Sequence, residues 1–396
     1  MSARLSAIGL LLVLAACGRE PEAPPPHVEP TPAPTSSPIF EVLDWTAIPA
    51  WPQLDLDPAI QAFERSCNAW SDLDGESNLS DRAWPVGQRA EWQAVCAARG
   101  NAAPADYFES HFVPVRVRAG DQATGLLTGY YEPELAVRRR PGGAFTHPIR
   151  SRPEDLVSAD LGAFSEELAG HRLVGRVDGN RFIPYRDRAA IERADSGAVL
   201  AWGQPIDVFF LQIQGSGRLV FDDGETVRAA FAAHNGLPYA SIGRELVARG
   251  ELELHAASKS GIETWLQDNG PQATAELFAV NPRYVFFGLE PLPNPDLGPR
   301  GAAGLALTPM GSVAVDPDFL PYGVPVLLSA DLPEADGWTG LVVTQDTGGA
   351  ITGPLRGDLF YGWGEAAERR AGSTRSQASW IVLLPRSVAE RLSSPA

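Results

Sequence analysis

The sequence predicts a mainly β protein with flanking helices, an α+β chain organised around β-barrel structure. Three observations carry that expectation. Residues 46–115 place apolar side chains three and four apart, the helical period. From about residue 124 the texture changes to short apolar runs broken by Gly and Pro, as short strands with tight turns require. These runs do not alternate regularly with helical segments, which argues against a Rossmann-type parallel sheet.

Composition sets the outer bounds. The 396 residues are 44% hydrophobic and include ten Trp, too apolar for a disordered chain. At roughly 150 residues per domain the length allows about two domains with sizeable cores. The balance of 32 basic against 49 acidic side chains gives a net charge of −17. Nucleic acid is therefore excluded as an expected partner, since phosphate binding needs clustered Lys and Arg. A polybasic membrane-surface mode is excluded on the same ground.

The N-terminus suggests another route to a membrane. Arg4 precedes the apolar stretch Ile8–Leu14, which is too short to span a bilayer. The following Leu14-Ala15-Ala16-Cys17 resembles the lipobox of bacterial lipoproteins. That resemblance implies a signal peptide over residues 1–16 and acylation of Cys17. By the same resemblance, Gly18 and Arg19 in place of Asp imply the periplasmic face of the outer membrane. Residues 18–38 contain eight prolines, and the whole of 17–45 reads as an anchored linker. Such a tract is semi-extended and reaches roughly 60 Å at about 3.1 Å per residue.

Taken in order, the body of the chain begins with helix-like stretches at Pro58–Trp70 and Gln88–Arg99, which carry Cys67 and Cys96. In an oxidising compartment these two pair as a disulfide tying consecutive helices. Closing a loop of about 30 residues stabilises by roughly 3–4 kcal/mol. An aromatic run at Tyr107, Phe108 and Phe112 follows. Strands are expected at Gly125–Tyr131, Pro205–Gln214, Arg218–Phe221, Tyr284–Phe287, Val324–Leu328, Leu341–Gln345 and Ser379–Leu384, and helices near Arg188–Ala194, Ser241–Ala248 and Ser260–Asn269. No fixed-period repeat is evident.

Several chemistries lack their residues. The six His show no H-E-x-x-H or paired spacing, no C-x-x-C or Walker loop occurs, and Gly215-Ser216-Gly217 is not a nucleophile elbow. No metal and no cofactor are expected, and carboxylates remain as the catalytic groups. Three segments stand out. Leu127-Thr128-Gly129-Tyr130-Tyr131-Glu132-Pro133 sets adjacent aromatics between Gly and Pro. Phe209–Gly217 reads as a buried strand ending in two glutamines and a glycine turn. Asp346-Thr347-Gly348-Gly349-Ala350-Ile351-Thr352-Gly353-Pro354-Leu355-Arg356-Gly357-Asp358 brackets a glycine-rich hairpin with carboxylates, just before Tyr361 and Trp363. Aromatic rings stack on sugar faces, and Asp and Gln bond hydroxyls.

With the further stretches Gly236–Gly243, Asn281-Pro282, Val285–Phe287 and Ala314-Val315-Asp316-Pro317, these segments resemble the membrane-bound lytic murein transglycosylase A family over residues 105–385. The C-terminal part resembles the module named for three aspartates, here Asp316, Asp346 and Asp358. The resemblance implies a double-psi β-barrel from residues 46–134 plus 289–390, with a smaller β domain, 135–288, inserted in it. It implies peptidoglycan glycan strands as substrate, cleaved between N-acetylmuramic acid and N-acetylglucosamine to leave 1,6-anhydromuramyl ends in cell-wall turnover. Asp358 matches the catalytic aspartate, with Asp346 beside it and Asp316 as a third candidate. Asp316 precedes Pro317, a position that equally suits turn capping. Thr128, Gly129, Tyr130, Tyr131, Gln212, Gln214, Gly215, Ser216, Tyr361 and Trp363 are the expected substrate contacts. Of these, the tyrosines and Trp363 also suit core packing. One extra residue sits in the hairpin around Pro354–Gly357, relative to the family pattern.

Two rival readings stay open on sequence alone: a non-catalytic, expansin-like wall-binding protein, and a polysaccharide hydrolase that uses water. A monomer is expected, with other proteins of murein synthesis and hydrolysis as candidate partners. The disulfide has a direct check. Thiol labelling of the folded protein without reductant is expected to leave Cys67 and Cys96 unmodified, and two reactive thiols would end that reading.

Overall fold

The computed structural model describes residues 38–393 apart from 81, 82, 85, 169, 170 and 293. Cys17, the signal segment and the Pro-rich tract before residue 38 lie outside the described residues. Among the described residues no helix is long and apolar enough to cross a membrane.

The front of the chain is helical, as its spacing requires. Helix Asp57–Trp70 has Pro58 in its first turn, where a missing N–H costs nothing. Helix Arg89–Ala97 opens with a reciprocal capping box between Gln88 and Glu91. Helix Pro104–His111 again starts on proline. Their inner faces interlock Phe63, Trp70, Trp92, Tyr107 and Phe108 with Phe112 of the following strand, all buried. Cys67 and Cys96 are joined as a disulfide across the first two helices.

Six strands then close on themselves. Around the ring they run Arg375–Pro385, Pro325–Leu332, Ala335–Asp346, Ser312–Val315, Gly357–Trp363, Thr124–Glu132 and back to Arg375–Pro385. A closed sheet has no edge to protect. Two of the pairings are parallel, Ser312–Val315 with Ala335–Asp346 and Gly357–Trp363 with Thr124–Glu132. Outside the ring, strand Phe112–Ala119 extends the sheet along Arg375–Pro385 and is itself covered by Pro38–Val42. Apolar side chains of the barrel and front helices merge into one core that includes Phe63, Val313, Leu327, Val343, Leu359 and Trp380.

A second, four-stranded sheet is ordered Val285–Pro291, Thr226–His234, Gly217–Phe221, Glu134–Val137. Behind it lies Pro205–Gln214. This segment is a helix, not the expected strand. Pro205 opens it, and Gly215 closes it at φ 83°, a left-handed cap that suits glycine. The misreading has a physical cause. Val208 and Leu211 pack on the second sheet, while Ile206 and Phe209 pack on helices Ile242–Ala248 and Lys259–Ala279. A helix buried on opposite faces is apolar all round and loses the periodicity that separates it from a strand. Helix Lys259–Ala279 breaks at Gly270, φ 79°, just before Pro271, matching the expected helical end at Asn269.

The barrel and the second sheet are joined by a buried ion cluster. Glu132, fully buried at the end of strand Thr124–Glu132, accepts from Arg218 Nε at 2.9 Å and Arg228 Nε at 2.6 Å. The same arginines donate to the carbonyls of Pro295 and Leu297 in the returning chain. Arg218 lies 4.0 Å over the Trp363 ring. Removing one partner of a buried pair strands the others without water. Glu132→Gln is therefore expected to lose about 3–5 kcal/mol of stability in urea unfolding, and a loss below about 1 kcal/mol would mean that the joint contributes little.

Candidate active site

The register of the barrel lines up four residues at one level. Ala314 pairs with Asp346 on one side and with Asp358 on the other, and Asp358 pairs with Thr128. Laterally paired residues project from the same face of a sheet. The two aspartates thus flank a methyl-sized gap, their Cα atoms roughly 10 Å apart at about 4.8 Å per strand. Above this row opens a cleft of about 360 Å³ between the barrel and the second sheet with its helices. Its floor is Gly129, Tyr130, Ala314, Asp346 and Asp358; its far wall includes Gln212, Gln214, Phe231, Tyr239, Asn281 and Arg283.

Each aspartate is positioned by its own strand. Gln345 points the opposite way from Asp346, donating to the Ala62 carbonyl at 2.7 Å and Ser66 Oγ at 3.0 Å, so the front helix anchors the strand from behind. On the hairpin before Asp358, Leu355 adopts φ 51°. The Leu355 carbonyl lies where a side chain at residue 125 would begin, so only glycine serves at Gly125.

The two carboxyls have different environments. Asp346 accepts from the Tyr130 hydroxyl at 2.8 Å, the Ala302 amide at 2.8 Å and the Thr347 amide at 2.9 Å. Burial raises its pKa, and these three donors oppose the rise. Among the described residues Asp358 accepts one hydrogen bond, from Thr128 Oγ1 at 2.5 Å on Oδ1. Burial drives its pKa up to about 6; the Thr128 donor and Arg356 pull it down, while the charge of Asp346 pushes it up. Half-buried Tyr130 holds its proton well above the usual phenol range, which suits a donor to Asp346.

The other expected residues divide. Gln212 and Gln214 both line the cleft, though from a helix instead of one face of a strand. Gln214 accepts from the Tyr131 amide at 3.3 Å, and Gln212 Oε1 is buried without a donor among the described residues. Gly129 and Gly215 border the cleft, and Ser216 is buried in the turn beyond it. Tyr131 faces an adjacent hollow between helices. Tyr361 lies beneath Gly129, bonded to Thr374 at 2.8 Å, and Trp363 is taken up by Arg218; neither borders the cleft. Asp316 stands apart from the other two aspartates. It accepts from the Gly353 amide at 2.7 Å and the Asp318 amide at 3.0 Å, capping a turn beside Phe319 and Trp380, away from the cleft.

Sequence reasoning missed Arg188, Phe231, Ala314 and Arg283 as cleft residues. Arg188 stacks between Phe209 and Tyr284 and donates to the carbonyls of Asn281 and Arg283, so it holds the wall loop. Phe231 is 50% exposed over the cleft. Tyr239 and Asn281 stood within the motif segments Gly236–Gly243 and Asn281-Pro282; Arg188 and Phe231 carried no signal.

Opposite shifts test this electrostatic reading. A donor to a carboxylate stabilises the charged form, so Thr128→Val should move the Asp358 titration above pH 6. A neighbouring negative charge destabilises it, so Asp346→Asn should move it below. Carbonyl-carbon NMR titration of the Asp358 side chain reads both, and shifts in the same direction would refute the assignment.

Comparison with known proteins bears on this site. The description "MltA specific insert domain" matches residues 126–288 and "3D domain" matches residues 311–384. A membrane-bound lytic murein transglycosylase A from Vibrio cholerae is 32% identical over 278 residues, 68% of each chain. The crystal structure of a membrane-bound lytic murein transglycosylase from Agrobacterium tumefaciens is 30% identical with a TM-score of 0.76, over 89% of this chain and 99% of that one. A crystal structure of MltA from Neisseria gonorrhoeae is also 30% identical, at TM-score 0.73, over 90% and 96%. With two domain matches in order and relatives this similar along most of its length, the chain belongs to the membrane-bound lytic murein transglycosylase A family.

Proposed function

We propose that the chain is a peptidoglycan lytic transglycosylase, a carbon–oxygen lyase, and that Asp358 alone performs its acid and base chemistry. The observation that carries this reading is the position of Asp358: half-buried on the cleft floor, with one hydrogen bond on Oδ1 and a pKa near the physiological range. With a pKa of about 6, roughly one carboxyl in ten keeps its proton at pH 7, and a general acid works best when its pKa lies near the operating pH.

The reaction needs one proton to leave and return. A glycan strand lies in the cleft with its muramyl–glucosaminyl bond over Asp358. Asp358 gives its proton to the glycosidic oxygen, and the C1–O4 bond breaks. The carboxylate then takes the proton of the muramyl C6 hydroxyl as that oxygen attacks C1. The 1,6-anhydro ring closes, no water is consumed, and Asp358 is protonated again. A hydrolase requires a second carboxylate free to act as nucleophile or to activate water. Asp346 is engaged by three donors, which suits it to an electrostatic role instead. Its charge raises the Asp358 pKa and offsets the cationic transition state. Tyr130 holds Asp346 in place, and Gln212, Gln214 and Phe231 face the sugar.

The rest of the chain fits the same reading. The two parallel pairings support a double-psi barrel from residues 46–134 plus 289–390, with 135–288 inserted. The lipobox-like segment ending at Cys17 supports lipid attachment there, at the periplasmic face of the outer membrane.

Digestion of purified sacculi with mass analysis of the product ends tests the chemistry. Wild-type protein should release anhydromuramyl ends, and Asp358→Asn should lower that rate about 10²–10⁴-fold, the span of a general acid or base. Reducing ends would instead identify a hydrolase, and an absence of soluble product a binding protein.

A further inference from the structure

The cleft holds a cation with spare bonding capacity. Arg283 is half-buried in the wall facing the loop that follows Asp346. Its backbone is clamped: its amide donates to Asn281 Oδ1 at 3.2 Å, and its carbonyl accepts from Arg188 Nη2 at 2.7 Å. The head group is not. A guanidinium carries five N–H donors. Among the described residues it forms one protein bond, Nη1 to the Leu237 carbonyl at 3.2 Å. Burial weakens its hold on its proton, and among the described residues no carboxylate acts to restore it. Arg218 and Arg228, by contrast, share Glu132.

The facing loop leaves room for a ligand. A side-chain carbon at Gly349 would touch the guanidinium at an ordinary 3.8 Å, so glycine leaves that face of Arg283 uncovered without being required there. Gly348 and Gly349 are exposed and follow Asp346 directly, which sets this opening beside the aspartate row. Partial burial of an arginine without a counter-ion is unfavourable unless an anion completes it.

We propose that Arg283 binds a carboxylate carried by the glycan strand and so selects acid-bearing strands over neutral ones. The inference rests on the glycan-strand reading of the cleft. Planar, bidentate pairing with carboxylate is what a guanidinium does best. The chain's charge of −17 repels an acidic polymer at long range, so a local cation is needed to hold an acidic sugar at the reacting level. The carboxylate has two chemical sources. One is the free lactyl group of a muramyl residue stripped of peptide; the other is a carboxyl of the attached peptide stem.

Binding separates these without turnover. In full-length Asp358→Asn protein, affinities are measured by calorimetry for three oligosaccharides of equal length: a neutral chitooligosaccharide, a peptide-free murein strand and a stem-bearing strand. Arg283→Gln should cut the preference for the acidic strand over the neutral one about 10- to 100-fold, the worth of a charged hydrogen bond. Arg283→Lys, which keeps the charge without the fork, should fall between. A loss seen with the peptide-free strand assigns the lactyl carboxylate, and one confined to the stem-bearing strand assigns the stem. An unchanged preference, or equal weakening toward all three ligands, overturns the proposal while leaving the Asp358 chemistry intact. Failure of all three to bind with Arg283 present would instead remove the glycan reading itself.

Discussion

The parallel pairing of strand Thr124–Glu132 with strand Gly357–Trp363 is the constraint on which the rest of the molecule depends. It joins segments about 230 residues apart in sequence, matching Asp358 to Thr128 and Trp363 to Glu132. The first match sets the hydrogen bond at the candidate acid. The second carries the chain to the buried cluster of Glu132, Arg218 and Arg228 that joins the barrel to the second sheet. The site and the interdomain joint are therefore two ends of one strand pair, and a slip of one residue would turn every side chain on it to the other face.

Two carboxyls of the same type acquire different properties from their surroundings alone. Asp346 is saturated by a phenol and two backbone amides. Asp358 has one hydroxyl donor and titrates near 6. Burial raises both, and the two differ in the donors that oppose the rise. The arginines follow the same logic: Arg188 is used up by carbonyls and rings, Arg218 and Arg228 by Glu132, and Arg283 keeps most of its donors for the cleft.

Much of this was legible in one sequence. The capped front helices, their cysteines, most strands, and the segments holding Thr128, Tyr130, Asp346 and Asp358 follow from periodicity, turn chemistry and family motifs. Pro205–Gln214 was not legible as a helix, because burial on opposite faces erased its amphipathic signature. Gln212 and Gln214 reached the cleft nonetheless, by helical geometry instead of strand alternation. Asp316 belonged to a three-aspartate pattern, yet Pro317 beside it signalled the turn it caps. Tyr361 and Trp363 carried the composition of a sugar platform and became packing, since Thr374 and Arg218 lay in reach.

The sequence by itself determined most of the helices and strands, which side chains are acids, and to which family the chain is similar, because these depend on local spacing and residue type; the helix Pro205–Gln214 was decided by its burial. Tertiary structure alone decided which acids share a cleft, how many donors each receives, and which cleft arginine has no carboxylate partner among the described residues. Those outcomes depend on distances between residues far apart in the chain, which exist only once the barrel has closed.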